Sequence, residues 1–376
     1  MKKRNKKKKK LGMRIVIGIA STVLVIVLVI GLAAIVFYKS GEAALRASAE
    51  TNAPIIETNP EEVERARESF TYGNTVAWND KWVVYEDGVY EYNEDTLNFL
   101  LLGIDHGGEL DKETDLSDWG AGQADVIFLV SANQKDKTVS IIGIPRNTMV
   151  ELDIYNEDEQ RIDSIYNQIC LQYGYAGGGE LGLATMKESV SELLYNLPIH
   201  GVCAVSYDAI GVVVDMIGGV EVTVPDDMTA YNPKYTEGSR VALTKKNVVP
   251  YLRYRDVAVL GSPTTRLTRQ KEFLKEAISQ TISEVKRNPR LVSDIYQAIV
   301  PYMNTDITID EAVYLAAEFI NYRIEGDSFY QLSGEDKQVD TVDASGKPRS
   351  YDDLYIDEDN KRRLVMELFY DEVIVQ

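Results

Sequence analysis

Polar and apolar positions alternate in several distinct regimes along the chain. Ile15 to Phe37 carries no charge over 23 residues and is interrupted only by Gly18, Ser21, Thr22 and Gly31. As a helix it reaches roughly 34 Å at about 1.5 Å per residue, enough for a hydrocarbon core of about 30 Å. Apolar on every face, it predicts a transmembrane helix rather than a buried globular one. A cleaved signal peptide is the rival, with Ala47-Ser48-Ala49 as a faint cleavage signature. The run exceeds a usual signal core, which favours an uncleaved anchor. Further on, Leu97–Ile104, Asp125–Val130 and Thr138–Ile144 are short continuous apolar runs and predict buried strands. Thr185 and Glu188 form a capping-box pattern that predicts a helix from there to near Pro198. His200–Ser206 predicts a strand, Tyr207–Ile217 a helix stopped by Gly218-Gly219, and Val220–Val224 another strand. Helices are expected over about Thr264–Arg287, over Leu291–Met303, from the Thr308/Glu311 cap to Tyr322, and over Lys361–Tyr370. The alternation predicts an α/β domain, a mixed central β-sheet flanked by helices, preceded by one transmembrane helix.

These regimes suggest an order of segments. Residues 1–14 form a basic tail, 15–37 the anchor and 38–70 a stalk. Aromatic residues between turn signals make 71–95 an accessory β-hairpin, 96–288 is the main domain, and 289–376 is a helical or mixed extension.

Charge sharpens the topology. The chain has 40 Lys+Arg against 59 Asp+Glu, a net charge of −19, yet residues 1–14 hold nine bases and no acid. Positive charge before the span keeps the amino terminus in the cytoplasm. The expected location is the cell membrane, single-pass, with everything after Phe37 outside. The remainder, at −28, repels nucleic-acid phosphate. Two histidines and two cysteines exclude a His-rich metal site, a four-cysteine zinc cluster and a disulfide-framed mini-domain.

No Gly-x-Ser-x-Gly elbow or Gly-Lys-Ser/Thr phosphate loop is present. Gly177-Gly178-Gly179 lacks the lysine of such a loop and reads as a turn; His106 reads as a loop residue and Asp357–Asp359 as a solvated acidic face. What remains is a set of arginines and aspartates near strand ends. Asp105 follows one predicted strand, Asp125 opens the next, and Arg146 follows the third. Arg253 and Arg255 share a face if the segment is extended, and Arg266, Arg269 and Gln270 share one if it is helical. Arginines in an acidic protein usually form surface ion pairs; several converging on one face point to a bound anion such as phosphate. Two aspartates beside it suggest a hard divalent cation.

Leu101-Leu-Gly-Ile-Asp105, Gln123-Ala-Asp125, Ile144-Pro-Arg-Asn-Thr148, Val214–Val220, Tyr251-Leu-Arg-Tyr-Arg255 and Arg266-Leu-Thr-Arg-Gln270 resemble, in order, the motifs of the LytR-CpsA-Psr proteins. The resemblance spans about Leu97 to Lys275. It implies an extracytoplasmic phosphotransferase that moves an anionic glycopolymer, of teichoic acid or capsule type, from undecaprenyl pyrophosphate to peptidoglycan. It further implies Mg2+ (or Mn2+) on Asp105 and Asp125, and pyrophosphate on Arg146, Arg253, Arg255, Arg266 and Gln270. Arg146, Arg255 and Asp256 would be catalytic. Two positions depart from the family pattern: Asn147 stands where an Asp is usual, and Pro263 where an Asp is common. They favour the alternative of a non-catalytic polyprenyl-phosphate-binding protein of cell-wall assembly or its regulation. A structural envelope protein, the third reading, predicts scattered arginines. The apolar stretches Ala209–Ile217 and Phe273–Ile282 are candidates for an isoprenoid slot or for ordinary core.

Overall fold

The computed structural model describes residues 53–72, 75–76, 78–110, 115–116, 121–254, 262–288, 290–319, 322–323, 328–342 and 347–373, with residues 40, 43 and 44. The predicted transmembrane segment 15–37, Arg255 and Asp256 lie outside this set. No helix among the described residues is long and apolar enough to cross a membrane.

In chain order the elements begin with α1 (Pro60–Ser69), the short pair β1 (Thr71–Tyr72) and β2 (Thr75–Val76), and the hairpin β3 (Val83–Tyr85) and β4 (Gly88–Tyr92). Then come β5 (Thr96–Ile104), β6 (Ala124–Asn133), β7 (Thr138–Gly143), and a second hairpin, β8 (Met149–Tyr155) and β9 (Arg161–Gln168). Next follow α2 (Gln172–Tyr175), α3 (Gly179–Leu193), β10 (Gly201–Ser206), α4 (Tyr207–Met216), β11 (Val220–Thr223), β12 (Arg240–Leu243), α5 (Val248–Arg253) and α6 (Ser262–Arg287). The chain continues through α7 (Leu291–Ile299), β13 (Met303–Thr305), α8 (Ile309–Phe319), β14 (Phe329–Gln331), the hairpin β15 (Gly334–Val342) and β16 (Pro348–Ile356), α9 (Glu358–Phe369) and β17 (Tyr370–Glu372).

Six strands form the central mixed sheet in the order β13-β10-β5-β6-β7-β14. β10 runs parallel to β5 and β14 parallel to β7, while β5–β6, β6–β7 and β10–β13 are antiparallel. Both edge strands come from residues after 289. Alternate residues of β5 serve opposite layers. Leu100, Leu102 and Ile104 pack with Met186 and Val190 of α3 and with Val365 and Phe369 of α9, whereas Leu101 faces α4 and α6. Two compact units are distinguished: residues 49–306 with 322–376, and residues 1–48 with 307–321. In the second, Thr308 and Glu311 cap α8 reciprocally, Thr308 N–H donating to Glu311 Oε2 at 2.6 Å.

Several elements differ from the sequence pattern. The helix expected to open at Thr185 starts at Gly179, and Thr185 lies inside it with its hydroxyl donating to Leu181 O at 2.9 Å. Three successive glycines in left-handed geometry turn the chain into the helix, so the Thr-x-x-Glu pattern falls mid-helix and the hydroxyl back-bonds. The helix predicted over Leu291–Met303 ends at Ile299, because Pro301 lacks an N–H; Met303 then joins the sheet. Arg253 closes helix α5 and is not part of an extended strand. Asp357 of the acidic triplet is the N-cap of α9, its carboxylate accepting from Asp359 N and Asn360 N at 3.1 Å.

Candidate functional site

Strand polarity alone gathers much of the candidate set. β5 and β10 point one way and β6 the other, with β7 antiparallel to β6, so the ends of β5, β7 and β10 and the start of β6 lie at one edge of the sheet. Asp105, Arg146 and Tyr207 follow those strand ends and Asp125 sits at the strand start. A β-bulge refines the placement. Gly103 pairs with Val126 but Ile104 pairs with Ala124, leaving Asp125 as the extra residue. Gly103 suits this close approach, since a Cβ there would sit 2.9 Å from Val126 Cβ.

Asp125 is the hub. Its carboxylate is only 7% exposed and takes Arg146 Nε at 2.7 Å on one oxygen. The other oxygen takes Arg266 Nη1 at 3.3 Å and the donated Tyr207 hydroxyl at 3.0 Å. Arg146 also donates to Gln123 Oε1, and to the buried Cys170 Sγ at 3.0 Å. Burial pushes the Cys170 thiol up to about 11, with the Arg146 guanidinium pulling the other way. Burial, then the Asp125 charge, raises the Tyr207 phenol well above its ordinary value, which keeps it a donor. Outside this buried layer, Arg253 Nη2 pairs with Asp105 at 2.7 Å and its guanidinium lies 4.9 Å from the Tyr207 ring centroid. Three arginines thus meet two aspartates, leaving positive charge at a partly exposed surface.

The shared face of Arg266, Arg269 and Gln270 divides its work. Arg266 reaches Asp125, while Arg269 Nη1 donates to Tyr251 O at 3.1 Å and Gln270 Nε2 to Leu252 O at 3.4 Å. Both bonds satisfy carbonyls at the end of α5, which carries Arg253. Arg269 is closed off by Asp226 at 3.0 Å and is 2% exposed. Gln270, expected as a pyrophosphate ligand, therefore holds the element that presents Arg253. Asn147 points elsewhere: its Nδ2 donates to Asp352 O at 2.9 Å and Asp336 Oδ1 at 3.3 Å. Pro263 is the second residue of α6, where a missing N–H costs no helical bond. Sequence reasoning assigned no role to Tyr207, Cys170 or Gln123. Tyr207 was within reach of the same strand-end logic; Cys170 carries no local signal.

Two carboxylates at adjacent strand ends have the donor chemistry for a hard divalent ion that shares phosphate oxygens. Asp105 is 35% exposed, and of the about four lone-pair sites of a carboxylate Asp125 uses two for hydrogen bonds, from Tyr207 and Arg266, with Arg146 Nε in ion-pair contact. Asp115 is tied to the glycine turn through its N–H to Gly177 O at 3.0 Å, and Asp118 lies outside the described residues.

Next to the cluster is an apolar cavity of about 330 Å³, lined by Leu101 and Val205, by Ala209, Ile210, Val213 and Val214 of α4, and by Phe273 to Ile282 of α6. Both helices begin at the charged edge: Tyr207 opens α4, and Arg266 lies in the first turns of α6.

The chain matches the profile described as the LytR_cpsA_psr family over residues 47–353. It is 24% identical over 226 residues to the polyisoprenyl-teichoic acid–peptidoglycan teichoic acid transferase TagU of Bacillus mycoides, covering 60% of this chain and 65% of the relative, just under two thirds. The TagU of Halalkalibacterium halodurans is 23% identical, with 66% and 73% covered. Among solved structures, protein gbs0355 of Streptococcus agalactiae superposes with a TM-score of 0.54 at 21% identity, covering 73% of this chain and 86% of that one. TagT bound to LI-WTA gives 0.50 at 22% identity, covering 73% and 89%. These structures share the fold.

Proposed function

The chain belongs to the LytR_cpsA_psr family, and from that membership we propose that it is a membrane-anchored, extracytoplasmic phosphotransferase. It moves an anionic glycopolymer from a polyprenyl pyrophosphate to peptidoglycan. One observation supports this most: the charged cluster and the apolar cavity are consecutive along the same two helices. A phosphate head on Arg146, Arg253 and Arg266 would leave its hydrocarbon tail running between α4 and α6. The cavity falls at the lower end of the ~300–1,000 Å³ usual for ligand pockets and suits the first isoprene units of such a tail.

In the transfer, a sugar hydroxyl of the acceptor attacks the polymer-bearing phosphorus, a new P–O bond forms, and the bridging bond to polyprenyl phosphate breaks. Arg146 and Arg266, held rigid by Asp125, stabilise charge on the phosphoryl oxygens, and Arg253 with Arg255 steadies the departing phosphate. Asp256 is assigned the hydroxyl proton. Mg2+ held by Asp105 and Asp125 would supply further neutralisation of the pyrophosphate. Such chemistry is mostly positioning and electrostatics. The non-catalytic alternative rests on Asn147 and Pro263; the bonds from Asn147 to Asp336 and Asp352 O support a structural role for the first, and the second stands where helix geometry tolerates a proline.

The test uses the purified full chain, a polyprenyl-pyrophosphate-linked glycopolymer and peptidoglycan, and follows polymer made covalent to the wall. Arg266→Gln should cut transfer by about a hundredfold or more, the scale of losing one preorganised charge-stabilising donor. Binding of the lipid without any transfer by the unaltered chain would refute the enzyme reading. Protease accessibility in intact protoplasts tests the outward orientation, which requires the large carboxyl-terminal portion to be digested.

A further inference from the structure

Resting on the transferase reading, we propose that the hairpins β8–β9 and β15–β16 form an aromatic platform for an uncharged amino-sugar glycan strand, the acceptor side of the same site. The β8–β9 hairpin is rooted in the charged cluster at both ends. Thr148 leads into β8, and Cys170, two residues past β9, touches Arg146. β16 joins it through the Thr148–Leu354 bridge and the bond from Gln168 Nε2 to Asp353 Oδ1 at 2.7 Å.

The faces of the two hairpins coincide. Ile162, Tyr166 and Gln168 share one face of β9, and Tyr351, Asp353 and Tyr355 share one face of β16. The Gln168–Asp353 bond and the Tyr166–Tyr355 ring contact at 6.5 Å put these faces on the same side. Val339 lies directly opposite Tyr351, and Lys337 Nζ sits 4.7 Å from the Tyr355 ring centroid. Seven large apolar side chains stand exposed among the described residues, and four of them, Ile162, Tyr166, Val339 and Tyr351, are on this face of the hairpins. Tyr166 is 57% exposed and Tyr351 48%. Clustering of this kind marks a binding surface, whereas scattered exposure does not.

The chemistry selects the partner. A pyranose ring has an apolar C–H face and a polar rim, so a tyrosine can stack beneath it while its hydroxyl bonds the rim. On the platform face stand Glu151, Asp153, Glu335 and Asp353 with Lys337, an acidic surface that repels the anionic donor polymer and an anionic lipid surface alike. An uncharged saccharide meets no such barrier. Growing from the ends of the cluster, the platform leads a glycan hydroxyl toward the phosphate site.

The full chain in detergent is assayed for co-sedimentation with peptidoglycan sacculi stripped of attached polymer, with a linear N-acetylglucosamine hexamer as competitor. Binding should be competed by the hexamer. Tyr166→Ala and Tyr351→Ala, on separate hairpins, should each weaken it by about tenfold or more, as loss of an interface anchor does. Tyr166→Phe, which keeps the stacking ring, should bind within a small factor of the unaltered chain. Arg266→Gln should keep sacculus binding while losing polyprenyl pyrophosphate. Sacculus binding that neither alanine variant alters, or that the hexamer fails to compete, overturns the platform even if lipid binding holds. Failure of the unaltered chain to bind polyprenyl pyrophosphate, with the tyrosine effects intact, sinks the transferase reading and leaves the platform standing.

Discussion

Asp125→Asn probes the charged cluster at its hub. Asparagine keeps the size of the side chain but removes the counter-charge of Arg146 and Arg266, whose side chains are only 15% and 6% exposed. Removing one partner of a buried ion pair leaves an uncompensated charge and costs about 3–5 kcal/mol. In a folded body beyond about 250 residues each kcal/mol moves the midpoint by about 2 °C, so the melt should fall by roughly 6–10 °C. The assay is calorimetry of the full chain, repeated on Arg266→Gln and on the double variant. Because both changes act on one contact, the double variant should be more stable than the sum of the singles by roughly 1–3 kcal/mol. The proposed Mg2+ dependence is then compared between Asp125→Asn and the unaltered chain below the lowered midpoint, so that unfolding does not mimic metal loss. An unchanged midpoint, or strictly additive singles, would refute the claim that Asp125 neutralises two buried guanidiniums.

Ala277→Trp places an indole in the apolar cavity between α4 and α6 and should weaken polyprenyl phosphate binding by about tenfold or more while the fold persists; unchanged affinity would move the tail elsewhere. The Cys170 thiol is raised from 9.0 to about 11, so the stability it contributes is fully present below pH 9 and is lost as pH rises through 11. Burial raises the Cys203 thiol from 9.0 to about 12 as well, so Cys170→Ala should remove on the order of 2 kcal/mol of the decline between pH 8 and 11 and leave the Cys203 share in place. Gly177→Ala forces a Cβ to 2.6 Å from the Asp115 carbonyl carbon at φ +69° and should destabilise by about 1–3 kcal/mol in urea melts, with the glycine turn as the source.

The sheet interior was legible because its strands are continuous apolar runs, and Leu100, Leu102, Ile127 and Ile142 are buried where those runs placed them. The edge strands β13 and β14 were not legible. Three residues each, they are too short for a period, and their pairing is decided by the exposed edges they meet. At the site, strand-end position was enough to bring Asp105, Asp125 and Arg146 together. Helical spacing was enough to put Arg266, Arg269 and Gln270 on one face, but not to say which of them reaches Asp125. That division depends on where the carbonyl end of α5 lies, a tertiary fact. Cys170 is a similar case, since its contact with Arg146 is created by the return of the β8–β9 hairpin.

Asn147 shows how a departure from a family pattern can be structural. It is 1% exposed, and its amide donates to Asp336 and to Asp352 O, stitching the loop that carries Arg146 to the β15–β16 hairpin. Leu354 N–H reinforces the seam by donating to Asn147 O at 2.9 Å. Asn147→Asp would turn the donor into an acceptor facing a carbonyl and a carboxylate. Burial already holds the Asp336 carboxyl above its ordinary value, with the Asn147 bond pulling it down. An aspartate at 147 removes that bond and adds a like charge, so both carboxyls should titrate higher in the fold than in the unfolded chain. The penalty, about 1–3 kcal/mol for groups left unsatisfied, is then present at neutral pH. It shrinks as pH falls through the carboxylate range, where one proton shared by the pair restores the hydrogen bond. Melts of Asn147→Asp and the unaltered chain should converge as pH is lowered from 7 toward 4. If the variant is as stable at pH 7 and transfers polymer faster, Asn147 is a weakened catalytic position and the stitch between loop and hairpin is not what holds it.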